Sequence, residues 1–426
     1  MAKKPNYKAV LYIAYHYPPV LGSSGVHRTL AFTRHLNDNG WDTSVLTASL
    51  KGYDNWSQEQ FKFIPDGINV IRAFCRNTSK HFSFKGKYLS WMALPDNWQS
   101  WIVGGVISGL NTIRKNRPDV IVSTYPIASA HIIAYVLHKL TGVPWVADLR
   151  DPMAQDDYPS DPRKKKIFEW IERKAVKHCS NVILTAPGAV DFYRSKFPQV
   201  DKDFWQLVPN GFDQTLFENL MPDELEAGPS AKASLKLVLL HSGVIYPSER
   251  DPSSLFAALA ELKTAGVIDE GNFELRLRAT GHDANYQPVL KTLGIDSLVK
   301  LEPPIPYQAA LNEMLDVDAL LLLQAENCNY QIPAKAYEYI RVQKPILALT
   351  PEEGDTGKLL LKTGTAWLAP LDDKAKIVQA MSNFLVKVRA SEFTPLSDDD
   401  ANRYSRQHHA IGFEELLLSA CLSKKD

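Results

Sequence analysis

Between Gln331 and Ile340 the chain reads Gln-Ile-Pro-Ala-Lys-Ala-Tyr-Glu-Tyr-Ile, and the apolar run Pro345-Ile346-Leu347-Ala348 follows closely. Proline suits the first turn of a helix because its missing N–H would have no partner there. The pattern therefore predicts a helix over 333–341 with Lys335 and Glu338, three residues apart, on one face. Unpaired N–H groups and the positive end of the helix dipole make its start a seat for an anion. Lys335 adds charge to that seat, Glu338 can accept hydrogen bonds from two hydroxyls, and Gln331 and Ile332 lead into it. Phosphate plus diol is the outline of a nucleotide. An amphipathic helix with a solvated Lys–Glu pair has the same letters, so the surroundings must decide.

Three other stretches offer chemistry. The strand 235–240 runs into His241-Ser242-Gly243, and Arg250 and Pro252 follow. Gly243 leaves room at a strand's carboxyl end, and Arg250 beside a helix start suits a diphosphate, aimed at the same place as Lys335. The loop Gly22-Ser23-Ser24-Gly25 leads into another predicted helix start and suits a phosphate or a sugar. It is not GxGxxG, so a dinucleotide site is poorly supported. Asp148-Leu149-Arg150-Asp151-Pro152 puts two carboxylates and a guanidinium at the end of a strand, either as working groups or as an Arg–Asp brace. Between Phe61 and Trp101 aromatic residues alternate with Arg72, Arg76, Lys80, Lys85 and Lys87. That mixture suits a sugar platform or a lipid headgroup surface, with packing beneath a long insertion as the expected reading. No Ser/His/Asp order, HExxH or P-loop occurs, and the acidic runs Asp372-Asp373 and Asp398–Asp400 read as helix caps.

The elements that must position these residues repeat a simple pattern. Apolar strands such as Ala9–Tyr15, Val120–Thr124, Val143–Asp148 and Asn181–Thr185 alternate with amphipathic helices, which indicates a parallel sheet covered on both faces. The polar segment from Asp213 to Ser234 reads as a linker, after which the alternation restarts. The expectation is α/β throughout: a first doubly wound, Rossmann-like domain over 1–213, a linker over 214–234, a second such domain over 235–397, and a closing helix over 398–426 that packs back on the first. Ligands of such sheets bind beyond the carboxyl ends of the strands, here facing a cleft between the domains.

Composition narrows the partners. A chain of 426 residues exceeds what one core usually organises. Lys plus Arg equals Asp plus Glu at 48 each, so no global field favours nucleic acid or an anionic membrane, and electrostatic preference must be local. Cys75, Cys179, Cys328 and Cys421 form neither CxxC nor Cys/His spacings, so a metal site or disulfide framework is not expected and a reducing cytosol fits best. No signal peptide and no run of about 20 apolar residues is evident, which predicts a soluble protein or one peripheral at the inner face of a membrane.

Taken in order, these motifs resemble the GT-B glycosyltransferases, specifically GT4-like retaining enzymes. The resemblance covers essentially the whole chain: Tyr17-Pro18-Pro19, Gly22–Gly25, Pro118-Asp119-Val120-Ile121 and Pro209-Asn210-Gly211-Phe212-Asp213, then Gly243, Arg250, Lys335, Glu338, Lys344-Pro345-Ile346 and Tyr404-Ser405-Arg406-Gln407. It implies that Glu338 holds the donor's ribose hydroxyls and that Arg250 and Lys335 neutralise its diphosphate. The Gly22–Gly25 loop then faces the diphosphate or the transferred sugar, and Asp148, Arg150 and Asp151 position the acceptor. The donor is a nucleotide-diphosphate sugar, the acceptor a glycan or lipid-linked group of cell-envelope polysaccharide, and neither cofactor nor metal is needed. Two positions depart from the family: Tyr330 stands where a glutamate often precedes the second one, and Val244 where an arginine often follows the glycine. Gln331, Asn329 or Glu326 are candidates to replace the carboxylate.

Overall fold

An apolar run such as Ala-Val-Leu-Tyr-Ile at 9–13 is stable as a strand only when both of its faces are covered. The structure, a computed structural model describing residues 8–21, 24–85, 87–156, 158–218 and 236–422, buries it fully. The chain divides into two units, one of residues 1–210 with 406–426 and one of residues 211–405.

In the first unit the strands are β1 (Ala9–Ile13), β2 (Asp42–Ala48), β3 (Asn69–Ala73), β4 (Val120–Thr124), β5 (Trp145–Arg150), β6 (Asn181–Leu184) and β7 (Trp205–Leu207). They form one parallel sheet in the order β3-β2-β1-β4-β5-β6-β7. The edge strands β3 and β7 escape the apolar-run reading because they are short and carry polar residues. The last helix, Arg406–Leu422, belongs to this unit and lies on the helix Ser24–Asp38. Phe413 stacks on Phe32 at 4.5 Å, and Glu414 accepts from Trp41 Nε1 at 2.8 Å. The single closing helix expected from Asp398 is two: Asp398–Asn402 ends, and the chain crosses at Tyr404-Ser405, where the Tyr404 carbonyl accepts from Phe212 N.

The second unit holds β8 (Leu237–Ser242), β9 (Phe273–Arg278), β10 (Val299–Glu302), β11 (Ala319–Leu323), β12 (Ile346–Leu349) and β13 (Ala366–Ala369), parallel in the order β10-β9-β8-β11-β12-β13. Each sheet thus reverses its winding once, between β1 and β4 and between β8 and β11. At such a switch point the two neighbouring loops diverge and leave a crevice at the carboxyl edge. Of the expected linker, residues 214–218 form a short helix, and 219–234 lie outside the described residues.

Candidate functional site

Gly243 follows β8 and the helix carrying Lys335 and Glu338 follows β11, so the switch point of the second sheet brings them together. That helix runs from Ala334 to Val342. Pro333 precedes it as an extended cap residue and does not occupy the first helical position, a one-residue correction that leaves the first-turn N–H groups with no side-chain cap. Tyr339 anchors the helix: its hydroxyl donates to Leu321 O and accepts from Ser242 N, each at 3.3 Å.

Lys335 turns inward. Its Nζ lies 3.1 Å from His241 Nε2, and His241 Nδ1 lies 3.0 Å from Leu321 O. The carbonyl can only accept, so Nδ1 carries the hydrogen and Nε2 is the acceptor for Lys335. His241 is fully buried and held neutral, its pKa pushed well down by burial and then by Lys335. Burial, then the charge of Arg250, pushes the Lys335 ammonium down to about 7, against a smaller opposing pull from Glu338. Gly243 has φ +119°, and a Cβ there would sit 3.2 Å from Lys335 Nζ. The positive φ favours glycine, and any larger residue would also press the Lys335 ammonium aside by a few tenths of an ångström.

Glu338 is buried, and its Oε1 accepts from Tyr307 Oη at 2.5 Å. Arg250 ends a short helix, donates through Nη1 to Val244 O at 2.8 Å and lies over the Tyr246 ring at 5.3 Å. Asp251 instead caps Ser253. A cavity of about 430 Å³ is lined by residues of the loops after β8, β11, β12 and β13, among them Ser248, Asp251, Glu326, Glu353 and Asp372. Of the three candidates for the missing carboxylate, Glu326 lines this cavity. Asn329 packs against Gly354, and the Gln331 carbonyl accepts from Gln324 Nε2 and Thr356 Oγ1. Ile332 is buried and Tyr330 is exposed.

In the first unit Asp148 is fully buried, and both its oxygens are taken: Arg28 binds it bidentately at 3.0 and 3.1 Å, and Thr124 Oγ1 donates at 2.9 Å. Arg28 also donates to Val208 O and Pro209 O. The expected brace therefore exists, but it joins Asp148 to Arg28 and fastens the Pro209-Asn210 segment to β5. Both Asp148 oxygens are thereby engaged within the fold. Breaking the pair leaves a buried charge unanswered, so Asp148→Ala is expected to lose about 3–5 kcal/mol in denaturant unfolding.

Arg150 adopts a left-handed backbone (φ +64°), donates through Nη1 to Tyr125 O at 3.2 Å, and keeps its buried Nε without a protein partner. Its charge, after burial, helps push His16 down to about 3. Asp151 accepts from Thr185 Oγ1 at 3.2 Å, and burial raises its pKa. Gly22 and Ser23 lie outside the described residues. Ser24 opens the helix Ser24–Asp38, and Gly25 O accepts from Thr29 Oγ1. Of the acidic runs expected as caps, Asp373 caps the helix Lys374–Arg389, whereas Ser397 caps the helix Asp398–Asn402 and Asp398–Asp400 occupy its first turn, where the helix dipole favours them.

Sequence reasoning missed His241 and Tyr307 as site residues. His241 stands two residues before Gly243 at the strand end, which is a usable signal. Tyr307 lies 31 residues from its partner Glu338, and no local spacing connects them.

Residues 24–211, most of the first unit, match the glycosyl transferase 4-like domain family. No curated protein matches the chain. Solved structures share the whole fold at low identity. A sucrose-phosphate synthase from Thermosynechococcus elongatus aligns with TM-score 0.68 and 12% identity over 98% of this chain and 100% of its own. The Anabaena protein HepE, in complex with UDP and glucose, aligns with TM-score 0.61 and 13% identity over 97% and 100%. WaaG, a glycosyltransferase involved in lipopolysaccharide biosynthesis, aligns with TM-score 0.60 and 13% identity over 98% and 99%. The chain has the GT-B fold, with two Rossmann-like domains.

Proposed function

We propose that this GT-B chain is a retaining, metal-independent glycosyltransferase that moves a hexose from a nucleotide-diphosphate sugar to a glycan or lipid-linked acceptor in cell-envelope polysaccharide synthesis. The observation that carries the reading is the meeting of Lys335, Glu338 and Gly243 at the switch point of the second sheet, within the reach of the Arg250 charge.

The reading gives each of these residues a role. The uncapped first turn of the helix Ala334–Val342, with Lys335 and Arg250, meets the diphosphate and stabilises the charge that grows on it as the sugar leaves. Glu338, oriented by Tyr307, accepts the two ribose hydroxyls. Glu326 and the other carboxylates of the neighbouring cavity accept hydroxyls of the sugar. On the acceptor side Arg150 and Asp151 face the incoming group, and Asp148 serves as a positioning residue through Arg28. The leaving phosphate takes the acceptor's proton, which keeps attack on the face it leaves and gives retention.

UDP-sugars are the first donors to test, since HepE is seen with UDP. In a thermal-shift screen of UDP-, GDP-, ADP- and CMP-sugars, a bound donor raises the melting point. Donor-dependent release of nucleotide diphosphate then marks transfer, whereas binding without turnover on any acceptor overturns the enzymatic reading in favour of a binding protein. Arg250→Ala is expected to raise the donor KM about tenfold, the size of one partly exposed charge-assisted contact. Turnover is expected to be unchanged in EDTA.

A further inference from the structure

The aromatic and basic stretch after β3 divides in two. Trp98 and Trp101 join Tyr15 in the first unit's core, with ring centroids 4.6 and 6.0 Å away. Between β3 and Trp98, Cys75, Asn77 and Thr78 are buried, but most of the large apolar side chains face outward. Phe74, Phe84, Leu89 and Trp91 are 53, 79, 61 and 59% exposed, and Phe82 and Tyr88 are exposed as well. This corrects the expectation that the whole stretch packs under an insertion. Single exposed apolar residues are ordinary, but six within eighteen positions are not.

Charge accompanies them. From Gly67 to Pro95 the chain carries Arg72, Arg76, Lys80, Lys85 and Lys87 and not one carboxylate. Arg76 lies over Phe74 at 4.9 Å and Lys85 over Phe84 at 5.8 Å. A second basic run joins this surface: Arg163 Nη1 donates to Ser90 Oγ at 2.9 Å, and Lys164, Lys165 and Lys166 follow it on the helix Pro162–His178. Among the described residues the acids nearby are Asp54, paired with Lys80; Asp161, paired with Arg163; Asp156, in the loop before that helix; and the buried Asp96, which accepts from Ser129. The balance stays positive in a chain whose net charge is zero. The surface follows the carboxyl end of β3, and Arg163 ties it to the loop after β5 that begins with Asp151.

We infer that this surface docks on an anionic phospholipid bilayer, its aromatic side chains entering the headgroup region and its cations meeting lipid phosphate. Aromatic and long apolar side chains partition into the interface, and each nearby Lys or Arg adds attraction to an anionic leaflet. A protein partner would need a complementary acidic groove, whereas the observed mixture of separated aromatic tips and cations matches a fluid, negatively charged plane. The inference goes beyond glycosyl transfer and stands whichever sugar is moved.

The test is co-sedimentation of the full chain with phosphatidylglycerol–phosphatidylcholine vesicles and with phosphatidylcholine vesicles. Binding is expected to the first and to be weaker on the second by at least about tenfold, and to fall with added salt. Phe84→Ser with Trp91→Ser, and separately Lys85→Glu with Lys87→Glu, are each expected to lower vesicle binding about tenfold or more. Melting temperature and donor-induced thermal shift should stay the same, which separates failure here from failure of the transferase reading. Equal binding to both vesicles, binding untouched by both double variants, or light scattering showing a dimer that the apolar variant dissociates would each overturn the inference.

Discussion

Glu338→Gln is expected to lower kcat/KM for the nucleotide sugar by about two orders of magnitude while leaving thermal unfolding within a few degrees of the parent. The carboxylate is buried and already accepts from Tyr307, so its position is set before a ligand arrives. Two hydroxyls donating to a charged acceptor contribute about 1.5–3 kcal/mol each, and an amide keeps the shape but loses the charge. Isothermal titration with the free nucleoside diphosphate should show the same loss in Kd, because the ribose is present in both ligands. Tyr307→Phe should give a smaller effect, about tenfold, on KM with kcat little changed, as befits a group that orients Glu338 without touching the reacting atoms. Unchanged nucleotide affinity in Glu338→Gln would remove the ribose assignment and, with it, the main support for a nucleotide donor.

Lys335→Met is expected to abolish turnover and also to erase a pH dependence. In the empty protein the Lys335 ammonium has its pKa pushed down to about 7 by burial and by Arg250. A diphosphate needs the charged form. Donor affinity should therefore be flat below about pH 7 and fall as pH rises above it, approaching tenfold per pH unit. The stability dependence has the opposite sense. The folded pKa lies below the unfolded one, so between the two the unfolded chain holds the proton and the folded chain does not. Stability therefore rises with pH from about 7 towards the ordinary lysine range near 10.4 and has no such slope below it. Lys335→Met should lose that rise, and the difference can be read from melting temperatures of the two proteins across pH 6 to 10. A parent whose donor affinity ignores pH over this window would show that Lys335 does not meet the phosphate.

Both predictions rest on residues that were partly legible as letters. Lys335 and Glu338 share one short helix, so their spacing alone puts them on one face. Gly243 ends a strand, and its need for a positive φ is the ordinary reason for a glycine at such a turn. Their meeting also follows from alternation of strand and helix, because doubly wound sheets gather loops at one edge. Other parts had no local signal. The Arg28–Asp148 pair joins residues 120 positions apart, so no local spacing announces that this carboxylate braces the fold. His241 and Lys335 are separated by 94 positions, and only the pairing of β8 with β11 sets one against the other.

By itself, then, the sequence determined the α/β class, two doubly wound domains, the helix with Lys335 and Glu338, and the glycine beside it. These depend on period, chain direction and backbone freedom, all of which are local. Tertiary structure alone decided what each candidate side chain touches. Asp148 is spent on Arg28, Glu326 lines a cavity, Tyr307 holds Glu338, and the aromatics from Phe74 to Trp91 face outward. Whether a polar or aromatic side chain is satisfied within the fold or left for a ligand depends on partners far away in the chain, and no spacing rule reports them.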